Sequence, residues 1–152
     1  MAYDVPGLLQ MPSADLDSLF SSSPSGDIPD GQAKGTAIIA PDTVYCAEIA
    51  ELINLFAWQG KTFDAAHGVL RNRILPFGLS AIVAEVYKAP SLLDNKDCIV
   101  LDYSKTSEVA QWVRDEIRLI GPGFYLGRVY WSGKPLIHFC LQFGVATGSP
   151  QS

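Results

Sequence analysis

The densest group of side chains that could carry chemistry follows Trp112 and comprises Arg114, Asp115, Glu116 and Arg118. In a strand, side chains alternate between two faces, so Asp115 lies on the face opposite its two neighbours, together with Ile117. A carboxylate that faces an apolar interior has a raised pKa and can act as a general acid or base. The alternative is a cross-strand ladder of salt bridges on the solvent face, which the usual exposure of charged residues favours.

A second candidate is His138 in the segment PLIHFCLQF. One face of this segment is apolar throughout, and the other carries His138, Cys140 and Gln142. A mixed face of this kind suits a rim, or a cavity wall that needs a few hydrogen-bonding groups. His138 and Cys140 are about 6.5–7 Å apart along the strand, too far for a direct hydrogen bond between a nucleophile and its base. A lone strand histidine is more often structural, so both interpretations stay open.

Aromatic side chains are concentrated in the second half and could line a pocket for a flat or greasy ligand. Filling of the core is the alternative and is the more frequent use of such residues. Arg71 and Arg73 could clamp a carboxylate or phosphate, or they could be surface charges. The residues predicted to contact a ligand are Trp58, Arg71, Arg73, Tyr87, Tyr103, Trp112, Arg114, Tyr125, Tyr130 and Cys140.

Two glycine-containing segments resemble nucleotide-binding motifs but lack the required context. The GKT at 60–62 would need a glycine at position 55, which is Leu55, and a strand where a helical pattern precedes it. GPGFYLG leads into a strand, whereas a dinucleotide fingerprint leads into a helix. No CxxC or HExxH pattern occurs and the chain has two histidines, so neither a zinc site nor a cofactor is predicted.

The composition is that of a globular domain, because 48% of the 152 residues are hydrophobic and 18% are charged. A net charge of -5 argues against a phosphate-binding surface, so nucleic acid is not an expected partner. There is no apolar run of about 18 residues and no basic leader, which predicts neither a membrane span nor a signal peptide. Three dispersed cysteines then fit reduced thiols and a cytoplasmic location.

The elements that must position these candidates are antiparallel strands. Three apolar stretches in the last third of the chain are separated by the turn signals GPG and SGKP. Strands this short and apolar must pair and curl around a core. The predicted fold class is therefore mainly β (α+β): an antiparallel curved sheet or lipocalin-like β-barrel, with one helix near 43–56 and a short helix near 13–20.

Three regions are expected along the chain. Residues 1–34 are predicted to be a loosely ordered N-terminal segment with the short helix, in which SSSPSGDIPDGQAKG is a loop. Residues 35–145 are predicted to form a single β-rich domain, and 146–152 a flexible tail. Within the domain, a short helix or bend at 105–111 is expected to lead into a strand at 112–120.

Two stretches resemble segments of a known family. WQGKTFD resembles the W-x-GK-x-F segment, and SEVAQWVRDEIRLIGPGFYLGRVYW resembles the ending, of bacterial and fungal proteins that pair a GxWxG motif with a small C-terminal domain of unknown function. The matching residues are Trp58, Gly60, Lys61, Phe63, Arg114, Ile117, Arg118, Leu126 and Gly127. GTAIIA stands in the place of the GxWxG motif and has no tryptophan. The resemblance implies a small β-rich fold, similar to lipocalin-like barrels, without assigned catalytic residues.

Three functions fit these features. The first is binding of a small hydrophobic ligand (lipid-, isoprenoid- or polyketide-like) in an apolar barrel pocket. The alternative is a small cofactor-free isomerase, cyclase or dehydratase, in which Asp102, Asp115, Glu116 and His138 supply acid and base in that pocket. The third is a homodimer in which the two-sided apolar C-terminal strand pairs across an interface. Ligand binding ranks first because it needs only the pocket, whereas the enzyme also needs converging titratable groups.

Overall fold

A computed structural model describes residues 3–39, 61–74, 79–105 and 111–143. Within these ranges two helices, α1 Val5–Leu9 and α2 Ser13–Ser22, precede eight strands. The strands are β1 Gly31–Ile38, β2 Lys61–Asp64, β3 Val69–Ile74, β4 Leu79–Pro90, β5 Asp97–Asp102, β6 Val113–Gly121, β7 Phe124–Trp131 and β8 Lys134–Phe143. Each strand pairs antiparallel with the next, and β8 also pairs with β1, which closes a barrel. Neither described helix has the length and hydropathy needed to cross a lipid bilayer.

The predicted fold class is confirmed, since the chain forms a closed, antiparallel eight-stranded barrel consistent with a lipocalin-like barrel. The helix expected near 13–20 is α2, and the strand expected at 112–120 is β6. The helix expected near 43–56 and the tail at 146–152 lie outside the described residues. Strand β1 begins at Gly31, inside the stretch expected to be a loop. The first ten residues include helix α1, whose Leu8 is buried, although this stretch was expected to be loosely held.

The barrel interior is lined mainly by hydrophobic side chains, which alternate along the strands with side chains that point outward. In β5, for example, Ile99 and Leu101 point inward while Cys98 and Val100 point outward. The buried interior cluster consists of Ala33, Phe63, Leu70, Ala84, Val86, Ile99, Leu101, Tyr103, Val113, Ile117, Tyr125, Val129, Ile137, Phe139 and Leu141. The ring of Phe139 lies directly over Gly127 on the neighbouring strand, where a Cβ would come within 2.2 Å of it. Gly127 thus makes room for an aromatic ring inside the barrel.

Part of the outer wall is also buried, because the two helices pack on it. The buried outer cluster consists of Leu8, Leu16, Leu19, Phe20, Ile38, Cys98, Val100, Phe124, Leu126 and Cys140. Strands β5, β7 and β8 therefore bury hydrophobic side chains on both faces within a single chain. Over residues 138–142, β8 also pairs along both edges, with β7 and with β1. The two-sided apolarity that suggested pairing across a dimer interface is thus explained by the barrel and its helices.

The segment 24–30 crosses one end of the barrel, where β1 begins and β8 ends. The Tyr125 hydroxyl donates to the Asp27 carbonyl at 2.9 Å, and the Ala65 backbone N–H donates to Asp30 Oδ1 at 2.9 Å. Between these two anchors, Ile28 packs against the interior cluster. We call this the crossed end. The other end, where β2 and β6 begin and β5 finishes, is the opposite end.

Candidate functional site

Three polar side chains lie inside the barrel near its opposite end, and together they form what we call the interior polar group: Lys61, Tyr103 and Asp115. Lys61 begins β2, Tyr103 directly follows β5, and Asp115 is the third residue of β6. Lys61 Nζ donates to the Tyr103 hydroxyl at 3.4 Å, and that hydroxyl donates to Asp115 Oδ2 at 3.4 Å. Their exposed fractions are 3%, 0% and 3%, so all three are removed from bulk water.

Burial shifts the pKa of both charged members of this group toward neutrality. Desolvation lowers the pKa of Lys61 to about 8, although the Asp115 carboxylate opposes the shift. Desolvation raises the pKa of Asp115 to about 6, against the opposing effects of Lys61 and the Tyr103 hydrogen bond. Among the described residues, Asp115 Oδ1 has no hydrogen-bond partner. A buried carboxylate oxygen without a donor is costly, so the site can accept one more hydrogen bond.

We expect the interior polar group to destabilise the fold most between about pH 6 and about pH 8. Because the pKa of Asp115 is higher in the folded than in the unfolded chain, its contribution to stability falls as the pH rises from about 4 to about 6. Because the pKa of Lys61 is lower in the folded chain, its contribution rises between about pH 8 and about pH 10. Urea unfolding over this range, compared with the double variant Lys61→Met/Asp115→Leu, measures the effect. Parallel pH profiles for the two proteins would contradict it.

Glu116 lies on the outer face of β6, as alternation predicts, but it is fully buried. Its Oε1 accepts from Ser91 Oγ at 2.6 Å, and its Oε2 accepts from the Leu92 backbone N–H at 2.9 Å and from Arg114 Nη2 at 2.9 Å. Arg114 also donates to the Pro90 carbonyl at 3.0 Å. These bonds attach the turn between β4 and β5 to β6. The prediction of a salt-bridge ladder on the solvent face is wrong for Glu116, because the turn between β4 and β5 covers the Glu116 side chain.

Asp102 lies at the end of β5 and is hydrogen-bonded outside the interior cluster. Its Oδ2 accepts from the Tyr87 hydroxyl at 2.6 Å, and its Oδ1 accepts from the Ser104 backbone N–H at 2.9 Å and from Ser104 Oγ at 2.6 Å. Partial burial disfavours the charged carboxylate and acts to raise the pKa of Asp102, but these hydrogen bonds outweigh it and hold the pKa below its ordinary value. Burial and the neighbouring Asp102 raise the pKa of Tyr87 to about 12. This pair stabilises the strand end and is not poised for proton transfer near neutral pH.

His138 also faces outward, under helix α2. Its Nε2 lies 2.8 Å from Asp17 Oδ1, which accepts from Arg128 Nε at 3.0 Å. Arg128 Nη1 also donates to the Tyr130 hydroxyl. These contacts attach α2 to the barrel wall. Asp115 therefore lies inside while the other three residues predicted to act as acid or base lie outside, so the four do not converge in one pocket.

The cysteines of the described residues offer no reactive thiol. Cys98 and Cys140 are free and buried in the outer cluster. Desolvation raises the pKa of Cys98 to about 12 and that of Cys140 to about 11, which keeps both protonated and unreactive at neutral pH. Within the part of the chain that the structure covers, no set of three His, Cys, Asp or Glu side chains is placed to hold a metal ion.

The residues predicted to contact a ligand are distributed over several environments. Tyr103 and Tyr125 belong to the interior cluster. Trp112 is 55% exposed, and Arg71 is exposed. Those that lie on the outer wall are Tyr87, Arg114, Tyr130 and Cys140. Trp58 lies outside the described residues, and the side chain of Arg73 is not described.

Lys61 is the member of the interior polar group that sequence reasoning did not select as a site residue. The available signal was the alternation in KTFD, where Lys61 shares a face with Phe63 and Thr62 points outward. A strand of four residues is too short to make such a pattern decisive. In addition, a lysine ordinarily keeps its ammonium group in water, so an inward-facing position was not expected.

Comparisons with known proteins place the fold but not the family. No protein-family model matches the chain, and no curated protein matches it significantly. The resemblance to the GxWxG-motif proteins therefore stays a prediction. Among solved structures, the crystal structure of a protein from Thermomonospora curvata matches with a TM-score of 0.60 and 18% sequence identity, over 89% of each chain. At this identity the match shows a shared barrel fold and nothing about activity.

Proposed function

We propose that the barrel binds a small, mostly apolar molecule (lipid-, isoprenoid- or polyketide-like) in its interior, and that the interior polar group contacts the ligand's polar end. An eight-stranded barrel has an interior that side chains can fill or that can hold one small ligand. The observation that carries the proposal is the buried Oδ1 of Asp115, which has no partner among the described residues and lies within an apolar lining. A ligand hydroxyl would supply the missing donor.

The same group favours a second function, a cofactor-free isomerase, cyclase or dehydratase. Asp115 and Lys61 each have a pKa shifted toward neutrality, which suits one of them to donate and the other to accept a proton. The Tyr103 hydroxyl, 3.4 Å from each of them, is placed to polarise a carbonyl. This enzyme would use Asp115 with Lys61, in place of Asp102, Glu116 and His138.

Titration with the apolar fluorophore N-phenyl-1-naphthylamine tests the proposal. We expect one saturable site, from which geraniol displaces the dye more effectively than myrcene, a hydrocarbon with the same number of carbons. One hydrogen bond to Asp115 predicts a preference of about five- to tenfold. Asp115→Leu should remove that preference, and Thr62→Ala, on the exposed face of β2, should keep it. Absence of any saturable binding would contradict the proposal, as would an unchanged preference in Asp115→Leu.

A further inference from the structure

Resting on the proposed function, we propose that the ligand is an apolar aldehyde or ketone and that Lys61 binds it covalently and reversibly as an imine. The side chain of Lys61 is almost completely enclosed, and its Nζ lies 5.9 Å from the centre of the Phe139 ring. The Tyr103 hydroxyl is within 3.4 Å of the amine and of the Asp115 carboxylate. A nucleophile, a polarising hydroxyl and an acid thus lie next to one another in the buried interior of the barrel.

The enclosure of Lys61 makes its amine a better nucleophile than any exposed lysine. Only the neutral amine attacks a carbonyl, and a lysine desolvated in an apolar pocket is neutral far more often than one in water. Desolvation lowers the pKa of Lys61 to about 8. Compared with an exposed lysine near pH 7, its neutral fraction is larger on the order of a hundredfold. Lys34, Lys88 and Lys134 are exposed and provide the comparison within the same chain.

The covalent step balances with the groups that the site contains. A proton passes from the Lys61 ammonium to the Asp115 carboxylate, with the Tyr103 hydroxyl between them as the bridge. The nitrogen lone pair then forms a bond to the carbonyl carbon, and the oxygen takes up the second proton of the amine to give a carbinolamine. Asp115 returns its proton to that hydroxyl, the C–O bond breaks, and one water molecule leaves. The product is a protonated imine beside an ionised Asp115, with no oxidant or reductant consumed.

The surroundings of Lys61 stabilise this product. The positive imine needs a nearby anion, and the Asp115 carboxylate remains as its counter-ion. Exclusion of water slows the hydrolysis that would otherwise reverse the reaction. The remaining interior is lined by aliphatic and aromatic side chains, which would contact an apolar tail. Selection of a carbonyl group thus comes from Lys61, and selection of an apolar tail from the interior cluster.

Reductive trapping tests the inference. The protein is mixed with one equivalent of geranial and sodium cyanoborohydride at neutral pH, and the modified residue is located by peptide mass mapping. We expect one reduced geranyl adduct per chain, at Lys61. Lys134→Arg, which alters an exposed lysine, should give the same yield, and Lys61→Arg should lose the adduct. Mapping of the wild-type protein decides the question even if Lys61→Arg does not fold.

Geraniol, which cannot form an imine, separates this inference from the proposed function. If geraniol displaces the fluorophore from a saturable site but geranial labels exposed lysines or none, the imine is excluded and non-covalent binding stands. If neither compound binds saturably and no adduct forms at Lys61, both proposals fail. A single adduct at Lys61 that geraniol suppresses by competition supports both.

Discussion

Replacing both Lys61 and Asp115 by apolar residues, in Lys61→Met/Asp115→Leu, is expected to give a protein at least as stable as the wild type. Each single replacement is expected to lower the free energy of unfolding by about 3–5 kcal/mol, because it leaves the other buried group without its counter-charge. The double replacement removes both desolvation costs together with the unpartnered Asp115 Oδ1. Urea unfolding at pH 7 of the wild type and the three variants gives the coupling energy.

Thr62→Ala is the matched control, since Thr62 lies next to Lys61 in β2 but is exposed. It should change the free energy of unfolding by less than about 0.5 kcal/mol. Additive effects of the two single replacements would show that Lys61 and Asp115 do not interact, and would remove the electrostatic basis of the site. A double variant more stable than the wild type would show that Lys61 and Asp115 do not stabilise the fold, so a contribution to folding would not explain their presence in the barrel.

The barrel could be predicted because its signals are local. Gly123 and Gly133 adopt positive φ angles of 61° and 82°, which the GPG and SGKP signals anticipate. Alternation in the segment that forms β6 placed Asp115 on the face opposite Glu116, and the structure confirms that assignment. Both depend on neighbours within a few residues, where turn chemistry and strand geometry act directly.

The composition of the site could not be predicted, because it depends on contacts between distant parts of the chain. The sequence around His138 showed only that it lies on a face of mixed polarity. In the structure it contacts Asp17, 121 residues away, and this contact helps to attach helix α2 to the barrel. Strand β5 has buried apolar residues on both faces, so periodicity alone could not tell which of its faces lines the barrel. Lys61 was overlooked because a four-residue strand gives too little alternation to override the ordinary preference of lysine for water.

Replacing Arg118 with methionine is expected to lower the free energy of unfolding by about 3–5 kcal/mol, although Arg118 lies outside the barrel. Arg118 is 1% exposed, and its guanidinium donates to both oxygens of Asp94 at 2.7 Å and to the Phe20 carbonyl at 2.9 Å. It also lies 4.5 Å from the centre of the Phe20 ring. Methionine fills a similar volume but provides no donor, so the buried carbonyl and the carboxylate lose their partner. Urea unfolding measures the loss, and hydrogen exchange of the α2 amides should accelerate, because Arg118 attaches that helix to β6.

The pH dependence of this loss separates it from a simple packing defect. The hydrogen bonds from Arg118 hold the pKa of Asp94 well below its usual range, although partial burial of the carboxylate acts in the opposite direction. A carboxylate whose pKa is lowered in the folded state stabilises it above the unfolded value of about 4, and that stabilisation is lost as the pH falls. The difference between wild type and Arg118→Met should therefore shrink below about pH 4, and Arg118→Lys, which keeps the charge without the planar fork, should lose less. Arg71→Met, at an exposed arginine, is the control and should have little effect. A loss for Arg118→Met that stays constant as the pH falls would mean that volume, and not the ion pair with Asp94, determines the contribution of Arg118.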